Sequence, residues 1–168
     1  MSIGKDEWER CYRELLPKVF SYFRYRIDDG QAAEELTSRT FEKAWRSHRR
    51  YRRNKAAFAT WIFTIARNTG NDYFRRKDRP LETDLCEADG VSASTEEVYE
   101  RQEQALRLRQ LLSTLEGRQR ELIALKYGAE LTNRKIAEVT GLSETNVGTI
   151  LYRSVRALRE QWEAEEDE

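Results

Sequence analysis

Apolar residues recur along the first part of the chain in three stripes of helical period. Trp8, Cys11, Tyr12, Leu15, Val19, Tyr22 and Phe23 follow one another at intervals that place them on one face of a helix, with Cys11 in its core side. Pro17 lies inside that stripe and predicts a kink or a split, because proline lacks an N–H and its ring crowds the preceding turn. Asp28-Asp29-Gly30 ends the pattern. Ala33, Leu36, Thr37, Thr40, Phe41, Ala44 and Trp45 form a second stripe. After an aperiodic stretch from His48 to Lys55 a third follows, with Phe58, Trp61, Ile62, Ile65, Ala66, Thr69 and Tyr73. Three stripes with short connections predict a small helical bundle. From Pro80 to about Thr95 the periodicity is lost among acids, Gly, Ser and Pro, which reads as a flexible linker. Helical pattern resumes near Glu96. Ala105, Leu108, Leu111, Leu112 and Leu115 give a fourth helix, and Leu122, Ile123 and Leu125 a short fifth. The predicted fold is all-α, with two small helical domains over 1–79 and 104–162, an acidic linker over 80–103 and an acidic tail over 163–168.

Leu131 to Leu158 carries the most specific local pattern. Thr132 can cap a helix, and Leu131 just before the cap can staple onto Ile136. The device repeats with Leu142, Ser143 and Val147. Thr140-Gly141-Leu142 lies between, and Gly141 can take the positive φ of a tight turn. Ala137 is small where two helices would cross, and Leu142, Val147 and Ile150 point inward. Two capped helices this close predict a helix-turn-helix, whose second helix enters the DNA major groove. A plain helical hairpin would share the pattern. On the first reading the second helix runs from about Glu144 to Arg159. Glu144, Thr145, Asn146, Thr149 and Tyr152 could reach base edges or phosphates, Asn146 by a bidentate contact to adenine. Arg153 and Arg156 would hold the backbone. Gly148 serves either a close approach to DNA or helix packing.

Charge sharpens this picture. Of 168 residues 36% are charged, and 30 basic residues balance 30 acids. That zero hides a strong separation. Between Arg39 and Arg79 stand thirteen basic residues and three acids, whereas Pro80 to Glu103 and the last residues are acidic. A basic block is the usual electrostatic footprint for phosphate. It coincides with an aromatic third stripe and the loop from Arg49 to Lys55, and single-stranded DNA is held by aromatic platforms in a cationic groove. Tyr51, Asn54 and Asn68 suit a pocket for an unstacked base. Arg52, Arg53, Arg75 and Arg76 suit DNA contact, while Phe58, Trp61 and Ile65 read as core.

The order of parts resembles a known family. Ala33–Trp45, with Glu34-Glu35-Leu36-Thr37 and Thr40-Phe41, then Phe58–Asn68, then Asp72-Tyr73-Phe74-Arg75-Arg76, resemble region 2 of the extracytoplasmic-function (ECF) sigma factors. The helix-turn-helix, closing on Arg156-Ala157-Leu158-Arg159, is similar to their region 4. The resemblance implies a factor that directs RNA polymerase to promoters and helps open the DNA. Glu35, Leu36, Ser38, Arg39 and Phe41 would meet the clamp of the polymerase β′ subunit. Tyr51, Arg52, Arg53, Asn54, Lys55, Arg67, Asn68, Asp72, Arg75 and Arg76 would bind and melt the minus-ten element. The second domain, through Glu144 to Arg156, would bind the minus-thirty-five element and touch the β subunit. An anti-sigma protein is a further implied partner. Relatives commonly carry Gln-Glu where this chain has Ser38-Arg39, which exchanges an acid for a base.

The rival reading is a helix-turn-helix regulator that never binds polymerase; it leaves Ala33–Arg76 without purpose. An enzyme is not expected, since no metal cluster, nucleophile–base pair or phosphate-cradling glycine loop stands out. Accordingly no catalytic residue, metal, cofactor or small-molecule substrate is expected. Cys11 and Cys86 suggest no disulfide framework, and His48 reads as surface. Neither a signal core nor a membrane-length apolar run occurs, so a cytoplasmic protein is expected.

Overall fold

The computed structural model describes residues 3–53, 56–77 and 96–166. Asn54, Lys55, Cys86, most of the acidic connector and the last two residues lie outside them.

Helix α1 (Lys5–Arg26) carries Asp6 and Glu7 in its first turn and Arg24 and Arg26 in its last, the signs that suit a helix dipole. It runs through Pro17 as one element rather than two. Leu15 on one side of the proline and Val19, Tyr22 and Phe23 on the other are buried in the same core, which holds both segments against it. Asp29 caps α2 (Gly30–Ser47) by accepting from the Gln31 and Ala32 N–H groups at 2.9 and 3.2 Å. A single 3₁₀ turn (His48–Arg50) leads into the loop before α3 (Phe58–Lys77). These three helices pack around Tyr22, Phe23, Leu36, Ile62, Phe63 and Ala66. Cys11 is half-buried at the rim of this core rather than inside it; burial, then Glu7, push its thiol pKa up.

Helix α4 (Glu96–Ser113) begins eight residues before the expected domain boundary, so the end of the predicted linker is helical. Then come α5 (Gly117–Ile123), a π turn (Ala124–Gly128), α6 (Asn133–Thr140) and α7 (Glu144–Glu166). The last helix continues past Arg159 into the predicted tail. Arg107 of α4 holds it there, with Nε 2.8 Å from a Glu165 carboxylate oxygen and its guanidinium over the Trp162 ring.

The two halves share one continuous hydrophobic core, which joins Val19, Tyr22 and Phe63 to Leu122, Leu125, Ile136 and Val147. Gly128 makes this possible. A Cβ there would stand 3.0 Å from the Ser21 carbonyl oxygen and the Tyr22 Cα, so only glycine lets the π turn lie against the α1 backbone. Polar ties cross the same seam. Arg120 Nε donates to the Tyr25 carbonyl at 2.8 Å, Lys18 pairs with Glu130 at 3.2 Å, and Thr60 Oγ1 donates to Glu138 at 3.5 Å.

Candidate nucleic-acid interface

The helix-turn-helix forms as its caps dictate. Thr132 Oγ1 accepts from the Lys135 N–H at 3.3 Å, and Ser143 Oγ from the Asn146 N–H at 3.1 Å. Gly141 ends α6 at φ +77°. Ile136 and Val147 are fully buried, Leu131 nearly so, and Leu142 and Ile150 partly. Leu151 and Ser154 complete the inner face of α7 and were not singled out by the sequence pattern. The opposite face presents Thr145, Asn146, Thr149, Tyr152, Arg153 and Arg156 to solvent, beside Glu144. Tyr152 is 69% exposed, too much for a core role. Arg156 is held by Glu160 at 2.9 Å, and the Thr149 hydroxyl bonds back to the Thr145 carbonyl. At Gly148 a Cβ would meet nothing nearer than Asn133 Nδ2 at 3.6 Å, so helix packing does not demand a glycine there.

The other set expected to face DNA is divided. Arg52, Arg53, Asn68, Arg75 and Arg76 are exposed. Arg53 reaches back to Glu7 on α1, and Asp72 pairs with both Arg75 and Lys43. Tyr51 departs from the expectation of a free lining group. It is 4% exposed, its hydroxyl donates to the Ala56 carbonyl at 3.0 Å, and its ring packs on Phe58 and Trp61. In this conformation it pins the loop and offers no face to a base. Arg67 is also engaged: its Nε donates to Glu121 Oε1 at 2.8 Å.

Glu121 is a residue the sequence reading missed. It sits on α5 beside Leu122 and Ile123, 6% exposed, between Arg67 at 2.8 Å and Arg26 at 3.8 Å. Arg26, equally buried, donates to the Tyr22 hydroxyl at 3.0 Å and lies over the Phe74 ring. Burial pushes the Tyr22 hydroxyl up to about 12, with Arg26 pulling the other way. A charged residue embedded in an apolar stripe was the available signal, at Arg26 after Phe23 and at Glu121 before Leu122. Buried charges survive only when paired and hydrogen-bonded.

On α2 the proposed polymerase-facing residues also divide. Glu35, Ser38 and Arg39 are exposed, whereas Leu36 and Phe41 are core at 2% and 5% exposure. Those two shape the helix from below and cannot themselves touch a partner in this conformation. Arg39 forms an ion pair with Glu35 one turn away, so the base at this position draws on the neighbouring acid. Among the described residues no group of three or more His, Cys, Asp or Glu could hold a metal ion, and no helix is long and apolar enough to cross a membrane.

Comparison with known proteins places this architecture. Residues 11–80 match Sigma-70 region 2, and residues 105–158 match Sigma-70, region 4. The ECF RNA polymerase sigma factor RpoE of Cereibacter sphaeroides is 32% identical over 156 residues, covering 92% of this chain and 84% of that protein. BldN of Streptomyces coelicolor, another ECF RNA polymerase sigma factor, is 30% identical over 91% of this chain; the chain spans 59% of that protein's length. The fold is that of a solved structure of RpoE with the anti-sigma factor NepR from Bartonella quintana, at TM-score 0.74 and 19% identity over 95% of this chain and 98% of that one. CnrH, solved with the cytosolic domain of CnrY, shares it at TM-score 0.69 and 18% identity over 96% of this chain and 90% of that one. The chain belongs to the ECF sigma factors of bacterial RNA polymerase, which direct the enzyme to specific promoters.

Proposed function

We propose that this sigma factor reads its promoter with two surfaces that work in different states of the chain. The observation that carries the reading is the fully formed helix-turn-helix, whose outer face of Thr145, Asn146, Thr149, Tyr152, Arg153 and Arg156 is open to solvent. It would take the minus-thirty-five element, with Asn146 on a base edge and the arginines on phosphates. Arg52, Arg53, Arg67, Asn68, Asp72, Arg75 and Arg76, with Asn54 and Lys55, would take the minus-ten element. Glu35, Ser38 and Arg39 would face the β′ clamp. The chain supplies recognition and positioning, and the catalysis belongs to polymerase, in the cytoplasm.

The spacing of those elements supports a reading in which the two halves part. Elements named for positions ten and thirty-five lie about 25 base pairs apart, or ~85 Å along the duplex. A compact chain of this length has a radius of gyration near ~15 Å and cannot span that distance. Polymerase would therefore separate the halves, release Arg67 from Glu121 and set the spacing. An anti-sigma partner would act on the same equilibrium by favouring a state that polymerase cannot use.

The test is run-off transcription with reconstituted holoenzyme on a genomic promoter library. Defined start sites that need this chain are expected. The Asn68→Ala variant should lose open-complex formation while keeping core binding. Transcripts from no defined site would overturn the reading, and equal loss of core binding and opening would remove Asn68 from the minus-ten surface.

A further inference from the structure

A cleft of about 620 Å³ opens on the seam between the halves, and the described residues that line it carry only positive charge. Arg26, Asn71, Phe74 and Arg75 line it from α1 and α3, and Leu115 and Arg120 from the edge of α5. Three arginines thus line one cleft, and no carboxylate is among its described lining residues. Arg26 has Glu121 behind it and Arg75 has Asp72 on the outer surface. Arg120 has less. Its Nε is committed to the Tyr25 carbonyl, while Nη2 is buried with no hydrogen-bond acceptor among the described residues. Burial pulls this guanidinium down from its ordinary value, and Asp28 offsets only part of that. A buried donor left without an acceptor costs about 1–3 kcal/mol, more when charged.

We propose that this cleft binds a phosphate-bearing small molecule of nucleotide size, which bridges the two halves. Guanidinium forks match phosphate oxygens in pairs, and three of them favour a multiply charged group over a single carboxylate. Phe74 and Leu115 supply an apolar wall for an organic part, and the volume exceeds what inorganic phosphate needs. Because the lining comes from both halves, the ligand binds the packed arrangement and stabilises it by mass action. The site stands on that packing and shares Arg75 with the proposed minus-ten surface, so ligand binding would oppose promoter reading.

Thermal melts and calorimetry on the full chain test it, with GTP, inorganic pyrophosphate, guanosine and a glutamate-rich peptide as probes. GTP should raise the melting temperature saturably, pyrophosphate should do so more weakly, and guanosine and the peptide should not. Asn71 lies 3.5 Å from an Arg26 nitrogen, so Asn71→Asp places a carboxylate inside the cleft without changing its shape. That variant should melt higher without ligand and bind GTP at least about tenfold more weakly, the scale of one lost charge-assisted hydrogen bond. Arg134→Gln, at an exposed position of α6, should bind as the parent does. No saturable response to GTP or pyrophosphate, an undiminished response in Asn71→Asp, or a response to the peptide alone would each overturn the proposal.

Discussion

The outer face of α7 and the polar positions of α3 with the loop before it are both candidate DNA surfaces, yet the structure treats them oppositely. On α7 every proposed contact residue from Glu144 to Arg156 is exposed, and the helix is fixed by its own caps and by Val147 and Leu151 beneath it. Its caps lie wholly within the C-terminal half. On α3, Arg67 is bound to Glu121 of the other half, and in the loop before it Tyr51 is folded into the core. One surface is preformed and the other is partly used to hold the molecule closed. A residue that pairs with phosphate in one state can pair with a carboxylate in another, since both offer oxygen acceptors to the same fork.

The sharpest way to break that contrast is Glu121→Ala. It leaves Arg26 and Arg67 without their shared acid, and removing one member of a buried ion pair costs about 3–5 kcal/mol. Urea melts should shift by about that amount and small-angle scattering should show a larger particle. The same change at exposed Glu144 should stay within about 0.5 kcal/mol. Equal effects at the two positions would mean that Glu121 does not hold the seam.

A second, smaller effect lies at alkaline pH. Tyr22 sits on the covered side, and burial raises its hydroxyl to about 12, whereas in an unfolded chain it ionises near ~10. Between those values the unfolded state gives up a proton that the folded state keeps, so stability falls as pH rises. Below that window the group adds no pH dependence. At about 1.4 kcal/mol per unit, the loss reaches about 2–3 kcal/mol by the upper end. Tyr22→Phe should remove this part of the alkaline limb, at a neutral-pH cost of about 1 kcal/mol for the lost Arg26 bond. Parallel alkaline limbs in parent and variant would show that the hydroxyl is not buried in solution.

The smallest effect belongs to the open face. Asn146→Ala should leave melting and particle size unchanged and cost about 1–3 kcal/mol of base discrimination on minus-thirty-five duplexes. Competition fluorescence anisotropy reads this directly. A uniform loss across all sequences would make Asn146 a phosphate contact instead.

What the sequence determined is everything that rests on local rules. The stripes of α1, α2 and α3, the caps at Thr132 and Ser143 and the left-handed Gly141 depend on neighbours within a turn or two, and each formed where the pattern placed it. At Pro17 the local cost did not split α1, because buried residues on both sides of it hold the helix to one core. Tertiary structure alone decided that Glu121 joins Arg26 to Arg67 and that Gly128 lets α1 and the π turn touch. Those facts pair residues tens of positions apart. Periodicity says which face of a helix is apolar, but not which other helix will cover it or which of its charges will find a partner there.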